Sequence, residues 1–351
     1  MLNSDGEFAF RPLNEFSENE WNSQLIYFDS FIYHSYWYLK YVEILNKKYS
    51  IQNLTTSLYK GNDVVAIIPF FIEIIDGQCQ CSIGEDVIPS PIFHRVLNKS
   101  QILGIYELIV NHYSLLIKQK KCDLARFGYS PLCINSHDDF FLKKFNYIED
   151  ITNPDWYIFK ARKSVIIELN KSFNILLKNC RKGHRANYLA TEKKVHLKIL
   201  NSDYYDKKIF DDYVDFYLKI KGPKRTLDAF KLDYEAIAKG FQILFICYYR
   251  EVIIGAIAVH CFQRKVRYNS SVQAYGVNKG LFPNHFLIIE AIKYFQRKDF
   301  ELFELGEVFS KNIQNCDRTK EYNISHFKLG FGGEIYPSVK VQKKFTYDKS
   351  K

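Results

Sequence analysis

The chain has 351 residues, enough for about two ordinary domains, and its 47% hydrophobic and 17% aromatic content excludes a disordered chain. Eight cysteines are scattered without a C-x-x-C pair and nine histidines do not cluster with them, so neither a zinc site nor a disulfide framework is expected; buried reduced thiols in a cytoplasmic protein fit better. The net charge of +10 is uneven: residues 1–160 carry 14 Lys/Arg and 19 Asp/Glu (net −5), and residues 161–351 carry 35 and 20 (net +15). The basic half suits a polyanionic ligand such as a nucleotide, a phosphosugar or RNA, or else is a solvated lysine-rich surface.

In chain order, the acidic start "MLNSDGEFAF" lacks the apolar core of a secretory signal. Helical material follows in "NEWNSQLIYFDS" and "SYWYLKYVEILNKKY". The run "LTTSLYKGNDVVAIIPFFIEI", with a polar tip at Gly61–Asp63, predicts a hairpin. After a Pro-containing loop, "QILGIYELIVNHYSLLIKQ" has helical spacing, and a charged turn leads into the short strand "LARFGY". A further strand, "DWYIFKARKSVIIEL", marks a boundary near residue 160 and divides the chain into halves 1–160 and 161–351. The same order then returns. Helical stretches "NILLKNCRKGHRANYLATEKK" and "KKIFDDYVDFYLKIKG" precede the hairpin "FQILFICYYREVIIGAIAVHCF", whose tip is Arg250–Glu251. That is the longest apolar run, and its two charges interrupt it, so no segment reaches the ~18 residues that span a bilayer. A third strand "VRYNSSVQAYG", a loop, the helix "HFLIIEAIKYFQ" and the strand "FELFELG" complete the copy, offset from the first by roughly 180 residues. A hairpin, a third strand, a helix and a parallel return strand make a mixed α/β unit, and two such units imply a ligand cleft between halves.

The chain closes with "HFKLGFGGEIYP", in which one lysine stands among apolar residues before three glycines. On its own this reads as a lysine snorkelling at a strand end beside a glycine bulge. The duplicated order, "LKNCRKGHRANYLATEK" opening the second copy and "FKLGFGG" closing it, resembles the FemABX family. Those enzymes are built from two GNAT-like subdomains, and known members move an amino acid from aminoacyl-tRNA onto the amine of a peptidoglycan precursor. The resemblance implies α/β architecture with two tandem GNAT-like acyltransferase subdomains and no cofactor or metal. It also leaves room for a related acyltransferase taking acyl-CoA, with an amino sugar of capsule or O-antigen synthesis as acceptor. A third reading is a non-catalytic RNA- or nucleotide-binding protein on the same scaffold. Expected partners are charged tRNA or acyl-CoA, a nucleotide- or lipid-linked glycan or peptide, and a peripheral membrane contact.

The resemblance also implies site residues. Lys328 would lie near the transferred acyl group, where a fixed cation stabilises the tetrahedral oxyanion by ~3–4 kcal/mol, with Phe327 walling the site. Arg225 in "KGPKRTLDAF" would grip the acceptor's pyrophosphate, guanidinium being suited to bidentate phosphate contacts, unless Lys224 takes that place or the charge is merely exposed. Tyr268 would line the acceptor groove or simply pack in the core, and Lys40 in "YWYLKYVEIL" would bind acceptor from the first half. Spacings of three and four put Arg181, His184 and Arg185 on one helix face, suited to phosphates of tRNA or a nucleotide, or to solvent. His326 and Glu304 are the available acid–base groups, and no base is assigned. The loop "YGVNKGLFPN" lacks the R/Q-x-x-G-x-G/A spacing with which ordinary GNAT enzymes cradle acyl-CoA.

Overall fold

The computed structural model describes residues 7–46, 49–84, 86–129, 132, 156–274, 280–309 and 319–345. The chain forms two compact units, one of residues 1–162 and 338–351 and the other of Lys163–Pro337.

In the first unit, β1 (Phe8–Pro12) precedes α1 (Glu18–Gln24), α2 (Tyr36–Leu45) and β2 (Gln52–Asn53). The expected hairpin is β3 (Thr56–Lys60) and β4 (Asp63–Ile68). Lys60 pairs with Asp63, and Gly61 at φ +60° makes the tight connection. The Pro-containing stretch after the hairpin contains four short strands: β5 (Phe71–Ile75), β6 (Gln78–Cys81), β7 (Ile88–Pro89) and β8 (Ile92–Phe93). Helix α3 (Lys99–Gln119) starts with a capping box between Asn98 and Gln101, buries Ile102, Ile105, Ile109, Tyr113 and Ile117, and returns to β9 (Leu124–Tyr129). One sheet has the order β1-β3-β4-β8; β9 pairs in parallel with β6 and β7. The Cys79 and Cys122 sulfurs stand 3.3 Å apart as free thiols.

The second unit begins within β10 (Trp156–Glu168) and continues through α4 (Phe173–Asn179), α5 (Lys182–Glu192), β11 (His196–Leu200), α6 (Lys207–Lys221) and α7 (Leu227–Ala238). The stretch expected as one helix before β11 is thus two, broken at Cys180–Arg181. The hairpin β12 (Gln242–Tyr249)–β13 (Val252–Phe262) turns at Arg250 and Glu251, both at positive φ, the twist-matching geometry of a two-residue hairpin. Then come β14 (Lys265–Gln273), α8 (Pro283–Arg297), β15 (Leu302–Val308) and α9 (Thr319–Leu329). These strands are hydrogen-bonded in the order β11-β12-β13-β14-β15-β10. One apolar cluster joins the sheet to α4, α5 and α8 around Leu287, Phe295 and Phe303, and a second joins it to α6 and α7 around Phe210, Tyr213 and Phe230. Gly255 of β13 admits α8 closely, since a Cβ there would lie 2.7 Å from Pro283.

Two expectations need correction. The motif around Lys328 is not on a strand: His326–Leu329 is the last turn of α9, and the strand β16 (Glu334–Lys344) begins only after the glycines. The second half does not run to the C-terminus either, because Val339–Lys344 pairs antiparallel with Leu124–Tyr129 of β9 and so belongs with the first unit.

Candidate functional site

The "RKGHRAN" and "HFKLGFGG" segments, 140 and more residues apart, clasp each other within the second unit. Arg181 caps the N-terminus of α5, and its backbone N–H donates to the Gly330 carbonyl at 2.7 Å. Its guanidinium reaches the His326 ring at 2.9 Å and the His326 carbonyl at 3.3 Å. His184, 7% exposed, donates from Nε2 to the Phe327 carbonyl at 2.9 Å. Its ring meets those of His285 and Phe331 at 4.6 and 4.7 Å. The glycines make this contact possible. A Cβ on Gly330 would lie 2.2 Å from His184 Nε2, and one on Gly332, at φ +80°, would lie 2.6 Å from the Asn179 carbonyl oxygen. Burial lowers the pKa of His184, and burial followed by the neighbouring His184 drops His285 to about 4. Both rings are therefore neutral packing groups near neutral pH.

The basic face expected from Arg181, His184 and Arg185 does not form. Arg181 has the extended backbone of a cap, and His184 points into the core. Arg185 turns back to donate to the carbonyls of Lys178 and Cys180 at 2.6 and 2.5 Å, satisfying the orphan C-terminal carbonyls of α4.

Lys328 leaves α9 toward β15. Its Nζ donates to the Glu307 carbonyl at 3.1 Å and lies 3.0 Å from where a Gly306 Cβ would stand, and Gly306 itself, at φ +88°, holds a backbone conformation strained for any side chain. The side chain is half-buried, and desolvation followed by the Arg267 charge lowers its pKa, with Glu304 and Glu307 opposing. The strands beneath are irregular. β14 and β15 pair in parallel over three positions only, ending at Arg267↔Glu304. Against β10 the register of β15 jumps from Ile166↔Glu304 to Val165↔Gly306, and β14 slips against β13 at Asn269. Bulges of this kind re-aim side chains and end strand pairing, and they concentrate beside active sites. Glu304, 2% exposed, stands at this point; its Oε1 accepts from Ser164 Oγ at 2.5 Å and its Oε2 lies 3.5 Å from Arg267 Nε.

Arg225, in the loop between α6 and α7, is 2.7 Å from Asp233, whose side chain is 0% exposed, and its guanidinium lies 5.0 Å over the Phe230 ring. Burial pushes the Asp233 carboxyl up, and Arg225 and then Gln242 pull it back. Arg225 also helps burial hold His260 at about 4. Tyr268 on β14 is partly buried against the same cluster that Phe327 packs on, and desolvation raises its phenol. Lys40, in the first unit, is half-buried on α2 and pairs with Glu43 at 3.3 Å. Phe327, Lys328, Arg181 and His184 thus come together, while Arg225 belongs to a separate buried ion pair. Asp233 escaped the sequence reading, although a charge in register with Phe230 and Ile237 on an apolar helical stripe is a readable signal. Ser164 carries no such signal. No group of three or more His, Cys, Asp or Glu among the described residues is placed to hold a metal ion, and no helix among them is long and apolar enough to cross a membrane.

No family model matches the sequence, and no curated protein matches it. Solved structures do resemble the fold. FemX matches with a TM-score of 0.68 at 12% identity over 97% of each chain. L-PGS from Bacillus licheniformis matches at 0.56 and 12% identity, over 88% of this chain and 93% of that one. A tandem GNAT protein from the clavulanic acid biosynthesis pathway, solved without acetyl-CoA, matches at 0.50 and 10% identity, over 97% and 100%. At such identities the likeness is one of fold, and the chain is a mixed α/β protein of two tandem GNAT-like subdomains.

Proposed function

We propose that this chain is an N-acyltransferase that moves an aminoacyl group from aminoacyl-tRNA onto an amine of an activated cell-envelope precursor. The observation that carries this is Lys328, a half-buried amine tethered to the Glu307 carbonyl where β14 and β15 stop pairing. The ester carbonyl of the donor lies against Lys328 Nζ. As the acceptor amine attacks, negative charge gathers on that carbonyl oxygen, and the fixed ammonium stabilises it by ~3–4 kcal/mol in a site shielded from water. Phe327 walls the acyl group, Tyr268 of the same unit meets the acceptor, and the basic second half takes the phosphates of the acceptor stem. The likeness to FemX over 97% of both chains supports the same choice.

A second reading keeps the site and changes the donor to acyl-CoA, with a nucleotide-linked amino sugar as acceptor. What favours it is the helix α8, whose N-terminus follows the parted strand β14 and carries Pro283 and no side-chain cap, leaving backbone N–H groups for an anion. Calorimetric titration separates the two. Charged tRNA is expected to bind, with affinity falling steeply as salt rises, and CoA to bind weakly. Tight CoA binding with salt-insensitive, weak tRNA binding would overturn the tRNA assignment. RNA binding without transfer from either donor would identify a binding protein on this scaffold.

A further inference from the structure

We propose that Glu304 binds the acceptor's primary amine and takes the proton it loses on attack, which names the base of the acyl transfer proposed above and rests on it. The Glu304 carboxylate is 2% exposed. One oxygen, Oε1, accepts from Ser164 Oγ at 2.5 Å, while Oε2 has no hydrogen-bond partner among the described residues. The Arg267 Nε stands 3.5 Å away, an ion pair too long to satisfy that oxygen. A buried carboxylate oxygen without a donor is costly, and such a site is stabilised when an N–H group arrives.

Its position in the sheet gives the same answer. Glu304 is the last residue of β15 in register with β14, and beyond it the two strands part. The bulge on β15 follows at once, and at its far side Lys328 Nζ rests on the Glu307 carbonyl. A carboxylate for the amine and an ammonium for the carbonyl oxygen therefore flank the same irregularity. The other titratable rings nearby are engaged. His184 donates to the Phe327 carbonyl, His285 packs edge-on against Phe327 at 5.0 Å, and His326 is held by the Arg181 guanidinium.

The amine nitrogen forms the new C–N bond, the carbonyl pair moves to oxygen under Lys328, and its return expels the ribose oxygen of tRNA (or the sulfur of CoA). The nitrogen's surplus proton goes to Glu304 Oε2, and an equal proton is recovered by the leaving atom, so both side chains end as they began. The charged and titratable groups facing Glu304 are Arg267 from β14 and Lys328 from α9, with the Ser164 hydroxyl from β10; Glu307 of β15 acts on Lys328 from the same strand.

The test compares full-length wild type with Glu304→Gln, using charged tRNA with a nucleotide-linked peptidoglycan precursor peptide and acetyl-CoA with a nucleotide-linked amino sugar. With the pair that wild type turns over, the substitution is expected to lower kcat by ~10²–10³-fold, leave the donor KM unchanged and move the acid limb of the pH profile to higher pH. Activity should then recover as pH rises toward the pKa of the substrate amine. If Glu304→Gln does not fold, Ser164→Ala keeps the carboxylate but removes the hydroxyl that holds it, and kcat should fall by about tenfold with the donor KM unchanged. A kcat within about threefold of wild type, or a loss of activity with an unmoved acid limb, would overturn the role of Glu304 and leave the acyl transfer standing. Wild type inactive with both pairs would remove the acyl transfer and the base together.

Discussion

Replacing Gly330 by alanine probes the clasp that positions Lys328. The added methyl carbon would sit 2.2 Å from His184 Nε2, and the three atoms nearest to it all belong to that ring. The imidazole must therefore leave, which breaks its 2.9 Å bond to the Phe327 carbonyl at a cost of ~1 kcal/mol. Overpacking adds ~1–3 kcal/mol, and the lost freedom of the unfolded chain returns ~0.4–1 kcal/mol. The net expectation is a destabilisation of about 1–3.5 kcal/mol. His184→Ala alone should cost about 3 kcal/mol by emptying the space between Phe327, Phe331 and His285. In the His184→Ala background, however, Gly330→Ala meets no ring and should cost almost nothing. Urea unfolding of the full chain, followed by far-UV circular dichroism for wild type, both single variants and the double variant, measures the coupling. Single-variant losses that add to within ~0.5 kcal/mol in the double variant would refute the steric account.

Arg225→Ala should destabilise by ~3–5 kcal/mol because it strands Asp233 in the core, and adding Asp233→Asn should restore much of the loss. A thermal shift equal in the single and double variants would show that the pair is not the reason. His260 and His285 are held near 4, below the ordinary value of 6.5, so their contribution is fully present above about pH 6.5 and is lost as pH falls toward 4. The fully buried His260 accounts for about 3 kcal/mol over that window and the solvent-screened His285 for less, and unfolding midpoints measured from pH 7 to pH 4 should fall accordingly; His260→Gln should flatten part of the slope.

The order of elements could be read because each hairpin is a local pattern: two β-rich runs and a polar tip. The parallel return of β15 followed from the helix between it and β14. The misreading at "HFKLGFGG" has a specific source. Phe327, Leu329 and Phe331 alternate as in a strand, but Phe327 and Phe331 also stand one helical turn apart, and in the protein their rings meet at 5.0 Å. Arg181 and Arg185 looked like a basic stripe because a sequence does not reveal that a helix breaks between Asn179 and Lys182. The partners of the glycines lie far away along the chain, at His184, Asn179 and Ile166, so their need for a missing side chain is visible only in three dimensions. Glu304 was legible as an acidic residue at a strand, but its open oxygen depends on how β14 and β15 part.

In the proposed reaction Lys328 supports the oxyanion of an acyl transfer to an amine. Single-turnover transfer of a radiolabelled aminoacyl group from charged tRNA to a nucleotide-linked peptidoglycan precursor, for wild type against Lys328→Met, tests it most directly. The expected result is amide formation by wild type, slowed by ~10²–10³-fold in Lys328→Met with donor binding retained. Equal rates in the two proteins, or no amide from wild type, would contradict it.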